Sequence, residues 1–238
     1  MNTNDSAVQK NEFIPSVFGM FTNECYLIRK LIADAIERNA AALGSVILDY
    51  GCGSKPYEGL FNASEYVGAD IRVSGHPNEN KKADVFFEGN HLPFPDNHFD
   101  GALVSEVVEH VFDLQGCLSE IVRVLKPGGT ILITCPFVWP LHEEPYDFAR
   151  YTPYALRQEL SKAGLEIEKI EQLGTSAEVL GQIMILLFPR RILHIPIIGR
   201  FLKGIVYGSI NATSRLVAKL TGVRSNLYLT NLVIARKR

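Results

Sequence analysis

Asp49, Gly51, Gly53 and Asp70 are the residues of this 238-residue chain whose types and spacing first suggest chemistry. The run Val46-Ile47-Leu48-Asp49-Tyr50-Gly51-Cys52-Gly53 sets an acid and two glycines directly after a short apolar segment. Glycine in such a turn lets the backbone come close to a ligand beyond the carboxyl end of a parallel strand. Asp70 follows Asp49 by 21 positions, a spacing that suits a carboxylate holding the two ribose hydroxyls of an adenosyl group. A pyrophosphate loop would need a third glycine where Pro56 stands, so a dinucleotide is disfavoured. The competing reading of Asp49 is a turn or capping residue.

A second concentration of chemistry is His142-Glu143-Glu144-Pro145-Tyr146-Asp147-Phe148-Ala149-Arg150-Tyr151-Thr152. Histidine and carboxylates tuned toward neutral pH serve as general bases for a hydroxyl. His142 is the first choice for that role, with Glu143 and Asp147 as alternates. Glu144, Tyr146, Arg150 and Tyr151 are candidates for orienting an acceptor, together with His110 from Glu106-Val107-Val108-Glu109-His110. The plainer alternatives are a solvated connector in which Arg150 pairs with a nearby acid, and a structural network for Glu106, Glu109 and His110. No metal is expected, because His142-Glu143-Glu144 lacks the H-E-x-x-H spacing that places two histidines on one helical face.

The elements that must position these groups follow from periodicity. Leu27, Ile28, Leu31, Ile32, Ala35 and Ile36 recur at helical spacing, and Leu118, Ile121, Val122 and Leu125 form a second stripe that Asp113 can cap. Lys126-Pro127-Gly128-Gly129 reads as the turn that ends this second helix. A third helix runs from Tyr154 to Ala163 behind Thr152-Pro153. Strands are expected at Val46–Leu48, Tyr66–Asp70, Ala83–Phe87, Asp100–Ser105, Thr130–Thr134, Leu165–Ile170 and Tyr228–Ala235. Their alternation with helices implies an α/β fold: a mostly parallel sheet with helices on both faces and an antiparallel last strand. The expected organisation is an arm over 1–22, a core over 23–172, an apolar, basic insert or lid over 173–226, and a final strand with a basic tail over 227–238.

Charge is unevenly distributed. No Asp or Glu follows Glu178, while ten cations do; against a whole-chain charge of −2 this leaves −12 on residues 1–178. Such asymmetry can mark an anionic partner. Val179 to Phe188, Ile192 to Ile198 and Phe201 to Val206 are apolar and interleaved with Arg and Lys. That pattern suits peripheral contact with an anionic membrane through 179–215, or a lid or homodimer surface packing its apolar side. It is too interrupted for a membrane span. The start of the chain lacks a secretory pattern, so a cytoplasmic location is expected, with peripheral contact at the inner face of the membrane as an extension. The four cysteines form no C-x-x-C pair and read as reduced thiols.

In order along the chain stand the D-x-G-x-G turn, Glu88-Gly89-Asn90-His91-Leu92-Pro93-Phe94, Asp96-Asn97-His98-Phe99-Asp100, Glu106-Val107-Val108-Glu109-His110 and Leu125-Lys126-Pro127-Gly128-Gly129. This succession resembles class I S-adenosylmethionine-dependent methyltransferases, whose sheet is Rossmann-like, and especially the small-molecule branch that includes quinone-biosynthesis methyltransferases. The resemblance spans Val46 to Ile170. It implies S-adenosylmethionine as cofactor. Asp49, Gly51, Cys52 and Gly53 would line its methionine and ribose portion, and Asp70 would hold the ribose. Ile71 would lie beside the adenine, Glu88 and Gly89 at the adenine amino group, and Ser105 and Glu106 on the methionine side. Glu88 stands where the family usually has Asp.

The stretch from His142 to Thr152 is similar to segments of bacterial methyltransferase-like proteins linked to surface-polysaccharide biosynthesis. The implied reaction is O-methylation of a small-molecule or sugar-containing, lipid-linked acceptor. A quinone or lipid methyltransferase, and a non-catalytic protein that binds the cofactor and a partner, are the alternatives. A nucleic-acid acceptor is not expected, because Ser105-Glu106-Val107-Val108 replaces the D/N-P-P-Y/F of amino-methylating enzymes.

Overall fold

The computed structural model describes residues 12–74, 77–188, 198–221 and 226–238. The first eleven residues of the expected arm, and Pro189 to Ile197 and Gly222 to Ser225 of the expected insert, lie outside these. The described residues form two compact units, one within Met1–Asp34 and Leu173–Leu229, the other within Ala35–Gln172 and Thr230–Arg238.

The second unit carries the sheet. β1 (Val46–Tyr50), β2 (Glu65–Ile71), β3 (Val85–Phe87), β4 (Phe99–Ser105), β5 (Leu125–Pro136), β6 (Leu165–Leu173) and β7 (Thr230–Lys237) lie in the order β3-β2-β1-β4-β5-β7-β6. β1 pairs in parallel with β2 and β4, β2 with β3, and β4 with β5, while β7 runs antiparallel to β5. The sheet is thus the mostly parallel one expected from the sequence, closed by an antiparallel pair. Strand order reverses between β1 and β4, and there a crevice opens at the carboxyl ends of parallel strands.

Apolar burial holds the sheet together. Ile47, Leu48, Ala102, Leu103, Val104, Ile131, Leu132 and Ile133 are almost completely buried, as near-continuous apolar runs of parallel strands require. Asp100 pins the start of β1 to β4: its Oδ2 accepts from Val46 N at 2.9 Å and Ser45 N at 3.1 Å, and Lys126 Nζ donates to its Oδ1 at 2.6 Å. The Lys126 ammonium and these amides hold the Asp100 carboxyl down at about 2.

α1 (Tyr26–Asn39) precedes β1. α2 (Leu114–Val124) is capped by Asp113, which accepts from Gly116 N at 3.0 Å, and α3 (Pro153–Lys162) by Thr152, which accepts from Ala155 N at 3.2 Å. Each cap satisfies an amide that the helix itself leaves open. Arg123 of α2 donates to Leu92 O at 2.9 Å, Phe94 O at 2.8 Å and Asp96 Oδ1 at 2.7 Å. The Leu92-Pro93-Phe94 and Asp96 motif residues are therefore clasped to a helix.

Strand and helix ends shift by one to three residues from the sequence reading, and one boundary differs in kind. Lys126-Pro127-Gly128-Gly129 does not follow a helix that includes Leu125: α2 stops at Val124, Leu125 already pairs with Phe99, and the run forms an irregularity inside β5 before Gly101 pairs with Thr130. Strand pairing outcompetes the last turn of the apolar stripe.

In the first unit, α4 (Ser176–Leu187) starts with a reciprocal capping box between Thr175 and Glu178, and α5 (Ile198–Thr221) is the longest helix among the described residues. Gln182 donates to Glu24 O at 2.7 Å, and Asn211 to Met20 O at 2.7 Å. No helix among the described residues is long and apolar enough to cross a membrane.

A Cβ at Gly101 would stand 2.4 Å from Leu43 O, a backbone atom that cannot swing aside. Gly101→Ala is expected to lower the urea midpoint by the equivalent of about 1–3 kcal/mol, as overpacking does. An unchanged midpoint would show that β4 can move away from that carbonyl.

Candidate active site

Because β1 to β5 are parallel, their carboxyl ends share one edge of the sheet. Asp49 and the turn Gly51–Gly53 leave β1 there, Asp70 and Ile71 end β2, Glu88 and Gly89 follow β3, Ser105 to His110 follow β4, and His142 to Tyr151 follow β5. The topology brings all eighteen residues singled out from the sequence to that edge of one unit.

The turn after β1 is shaped by its glycines. Gly51 has φ +69° and donates to Ala69 O at 2.8 Å; a Cβ there would meet the Val107 side chain at 2.6 Å. Gly53 has φ +49° and donates to Asp70 Oδ2 at 2.9 Å, and its Cβ position faces open space, as does that of Gly89. Cys52 is buried, and burial pushes its thiol far above the ordinary value, so it packs rather than reacts.

The two acids differ. Asp70 is buried and is held by Gly53 N on Oδ2 and by Lys81 Nζ on Oδ1 at 3.0 Å; Lys81 also reaches Ile71 O at 2.5 Å and is itself almost fully enclosed. Asp49 is buried, makes no ion pair among the described residues, and accepts on Oδ2 from the Tyr66 hydroxyl at 2.8 Å. Burial raises its carboxyl to about 7, against the lowering by the Tyr66 hydrogen bond and Lys55. Lys81 and Tyr66 have no sequence signature: one lies in a polar loop and the other occupies a strand position that alternation marks only as half-buried.

The turn after β4 is strained. Glu106 is a non-glycine residue at φ +55°, with its amide on Thr134 O at 2.9 Å and its Oε1 accepting from Thr230 Oγ1 at 3.1 Å. Such backbone outliers cluster at functional sites. Ser105 Oγ meets Thr134 Oγ1 at 2.9 Å. Ile71 and Glu88 are exposed at their strand ends, where an incoming ligand can reach them.

The segment after β5 is ordered around Asp147, whose side chain is 1% exposed. Arg150 grips both its oxygens, at 2.5 and 2.7 Å, and also donates to Pro140 O at 3.0 Å. The guanidinium and the His142 amide hold Asp147 well below the usual carboxylate range. Arg150 is thus engaged within the loop, and the Tyr151 ring packs against the core. Glu144 is exposed.

Asp147 accepts from His142 through the backbone amide at 3.0 Å and faces Nδ1 at 3.2 Å. His142 Nε2 lies 3.2 Å from His110 Nε2, and His110 Nδ1 lies 2.8 Å from Tyr146 O. Burial and the neighbouring His110 lower the His142 pKa, which leaves the ring neutral and able to take a proton at neutral pH. Glu143, at φ +53°, brings Oε1 within 3.7 Å of His110 Nε2.

Residues 48–133 match a family model described as a methyltransferase domain. The chain is 32% identical over 123 residues to a tRNA (carboxymethyluridine(34)-5-O)-methyltransferase of Arabidopsis thaliana, an alignment covering 48% of this chain and 29% of that protein. It is 33% identical over 135 residues to the O-methyltransferase rstn1 of Aspergillus nomiae, covering 51% and 60%. It therefore spans less than two thirds of either relative. A solved S-adenosylmethionine-dependent methyltransferase from Archaeoglobus fulgidus shares the fold, with a TM-score of 0.54 at 19% identity over 93% of this chain and 100% of that one.

Asp49 gives the fold a pH signature. Its folded-state pKa of about 7 lies above the unfolded value near 3.8, so the native state holds the extra proton between these limits. Stability is expected to fall as pH rises through that window, and to level off above it. Asp49→Asn keeps an acceptor for Tyr66 and should flatten the slope, stabilising the protein at pH 8 by up to about 4 kcal/mol at roughly 1.4 kcal/mol per unit. Urea denaturation at pH 5 and pH 8 measures it, and an identical slope in both proteins would place Asp49 outside a dry environment.

Proposed function

We propose, from the class I methyltransferase domain that this chain carries, that the protein transfers a methyl group from S-adenosylmethionine to a hydroxyl oxygen of a small or sugar-containing acceptor. The observation that carries this reading is the pairing, at one sheet edge, of a buried two-acid pocket with His142, whose Nδ1 faces Asp147 and whose Nε2 lies 3.2 Å from His110 Nε2.

The pocket fits the cofactor. A carboxylate offers about four acceptor sites. Asp70 uses one oxygen site on Gly53 N and one on Lys81, leaving two for the ribose hydroxyls. The open Cβ positions at Gly53 and Gly89 leave room for the nucleoside, and exposed Ile71 offers it an apolar flank. Asp49, raised by burial, would ionise beside the cationic methionine portion, so each favours the other. Ser105 and Glu106 border that side.

When bound, S-adenosylmethionine supplies an already activated methyl group, so alignment and exclusion of water are the protein's main tasks. Asp147 fixes the His142 ring through Nδ1 and presents Nε2 to take the hydroxyl proton. Glu143, Tyr146 and His110 border the acceptor, and Arg150 holds Asp147 in place. Two of the relatives are named for transfer to oxygen, which supports a hydroxyl acceptor, while sterol and quinone relatives are named for transfer to carbon.

A second reading, an apolar or lipid-linked acceptor met at a membrane surface, is favoured by exposed apolar residues on α4 and α5. Leu180, Met184, Leu187, Phe201, Ile205 and Leu220 are all more than half exposed. Co-sedimentation with anionic vesicles at low salt tests it, and a protein that stays in the supernatant removes it.

Calorimetry with S-adenosylmethionine is expected to give one site. Asp70→Asn should weaken it about tenfold or more, the loss of charged hydrogen bonds. His142→Ala should bind the donor as tightly as the unaltered protein yet release S-adenosylhomocysteine about 10²–10⁴-fold more slowly with an accepted hydroxyl compound. Donor binding indifferent to Asp70→Asn would overturn the pocket assignment.

A further inference from the structure

Two imidazole nitrogens, Nε2 of His110 and Nε2 of His142, face each other in the crevice. Tyr146 O can only accept, so His110 Nδ1 carries the hydrogen of their 2.8 Å contact, and in the neutral imidazole Nε2 then keeps a lone pair. Asp147, ionised beside Arg150, can only accept as well, so His142 Nδ1 carries a hydrogen and His142 Nε2 is also a lone pair. These two lone pairs stand 3.2 Å apart. Two nitrogens bound to one tetrahedral ion at about 2.05 Å would lie about 3.3 Å apart.

An independent observation comes from Glu109. Its side chain is fully buried and neither carboxylate oxygen has a hydrogen-bond partner among the described residues, although its backbone carbonyl accepts from Phe148 N at 2.8 Å and Ala149 N at 3.2 Å. A buried acid without partners is costly unless something positive or protic answers it. Its Oε1 lies 3.7 Å from His110 Nε2, as does Oε1 of Glu143, and one ligand atom each from Glu109, His110 and His142 falls within 4.8 Å of the others.

We propose that Glu109, His110 and His142, with Glu143 at the rim, form a binding site for a divalent first-row transition ion. The donor set of two imidazoles and one or two carboxylates is of the kind that Zn²⁺, Co²⁺, Mn²⁺ and Fe²⁺ accept. Both rings have the supporting contacts such ligands use: Nδ1 of His110 on a backbone carbonyl, and Nδ1 of His142 on a carboxylate that an arginine holds. His142 is 29% exposed, which gives an ion a way in. The sequence could not reveal the site, because the usual helical spacing is replaced by ligands from the turn after β4 and the loop after β5, 32 residues apart.

The inference deepens the proposed reaction and rests on it for its purpose. An ion held by Glu109, His110 and His142 keeps one position open in a tetrahedral shell and two when the shell expands to five, so the favoured acceptor carries a hydroxyl beside a second oxygen, as in a diol or hydroxy acid. On coordination the hydroxyl O–H bond breaks, its proton goes to solvent, and the electron pair stays on the oxygen facing the ion. The ion would then replace His142 as the means of deprotonation, since coordination and proton acceptance use the same Nε2 lone pair.

The test is a titration of the chelator-treated full chain with Co²⁺ and Zn²⁺, in the absence of donor and acceptor. One equivalent of Co²⁺ is expected to produce the visible absorption of a nitrogen- and oxygen-ligated ion, which Zn²⁺ displaces. The ring-nitrogen resonances of two histidines should shift together at one equivalent of Zn²⁺ in the unaltered protein, a readout that needs no variant. His142→Ala should abolish the absorption, and Asp147→Asn should weaken binding about 10–100-fold while keeping the band. Failure of the unaltered protein to bind either ion, or binding unchanged by His142→Ala, would overturn the site and leave a shared proton between the rings. Calorimetry with S-adenosylmethionine on the same ion-free sample reads the donor pocket separately, so loss of one assignment is distinguishable from loss of the other.

Discussion

Carboxylates held away from water set the terms for this crevice. A buried ionised acid is among the more expensive things a fold can contain unless a cation, a proton or several donors answer it. Besides Asp147, which Arg150 grips, three such acids gather at the carboxyl edge of the parallel strands, and each is answered differently. Asp70 has an enclosed lysine and a backbone amide. Asp49 has a tyrosine hydroxyl and stays partly protonated near neutrality. Glu109 has no side-chain hydrogen-bonding partner among the described residues, and burial with Glu106 nearby pushes its carboxyl well above the usual range. An edge so arranged is prepared for positively charged or proton-bearing guests.

The scaffold explains why these groups can be held still. Parallel strands buried on both faces leave little freedom at their ends, and the connections are fastened by the motif residues themselves. Arg123 ties Leu92, Phe94 and Asp96 to α2, while Asp100 ties β4 to the start of β1. Lys55 pairs with Asp84, and Lys82 N donates to Gly53 O at 2.7 Å, so the loops after β1 and β2 are joined on the side where the nucleoside would lie. Positioning to within fractions of an ångström is what a transfer between two aligned partners requires.

Much of this was legible in the sequence because it is local. The apolar run before Asp49, the caps Asp113 and Thr152 and the alternation of strands and helices are short-range signals, and the sheet follows from them. The motif order made the edge residues recognisable one by one. What each would touch was not legible. Lys81 on Asp70, Tyr66 on Asp49 and His142 against His110 are tertiary meetings between segments with no shared periodicity. The Lys126–Gly129 run misled for a related reason: lysine, proline and glycine mark the end of a helix locally, but pairing of Leu125 with Phe99 decides where that helix stops.

Glu106 carries one more consequence. Its left-handed backbone is the conformation glycine adopts freely, and an L-residue holds it at a cost of roughly 1–2 kcal/mol. Thr134 and Thr230 fasten it from two strands, so the strain is locked in rather than relaxed. Directed evolution toward heat resistance would therefore find glycine or asparagine at this position attractive, and would trade away an acid of the crevice in accepting it. Improvement in ruggedness and retention of the crevice's charge pull in opposite directions at this one turn.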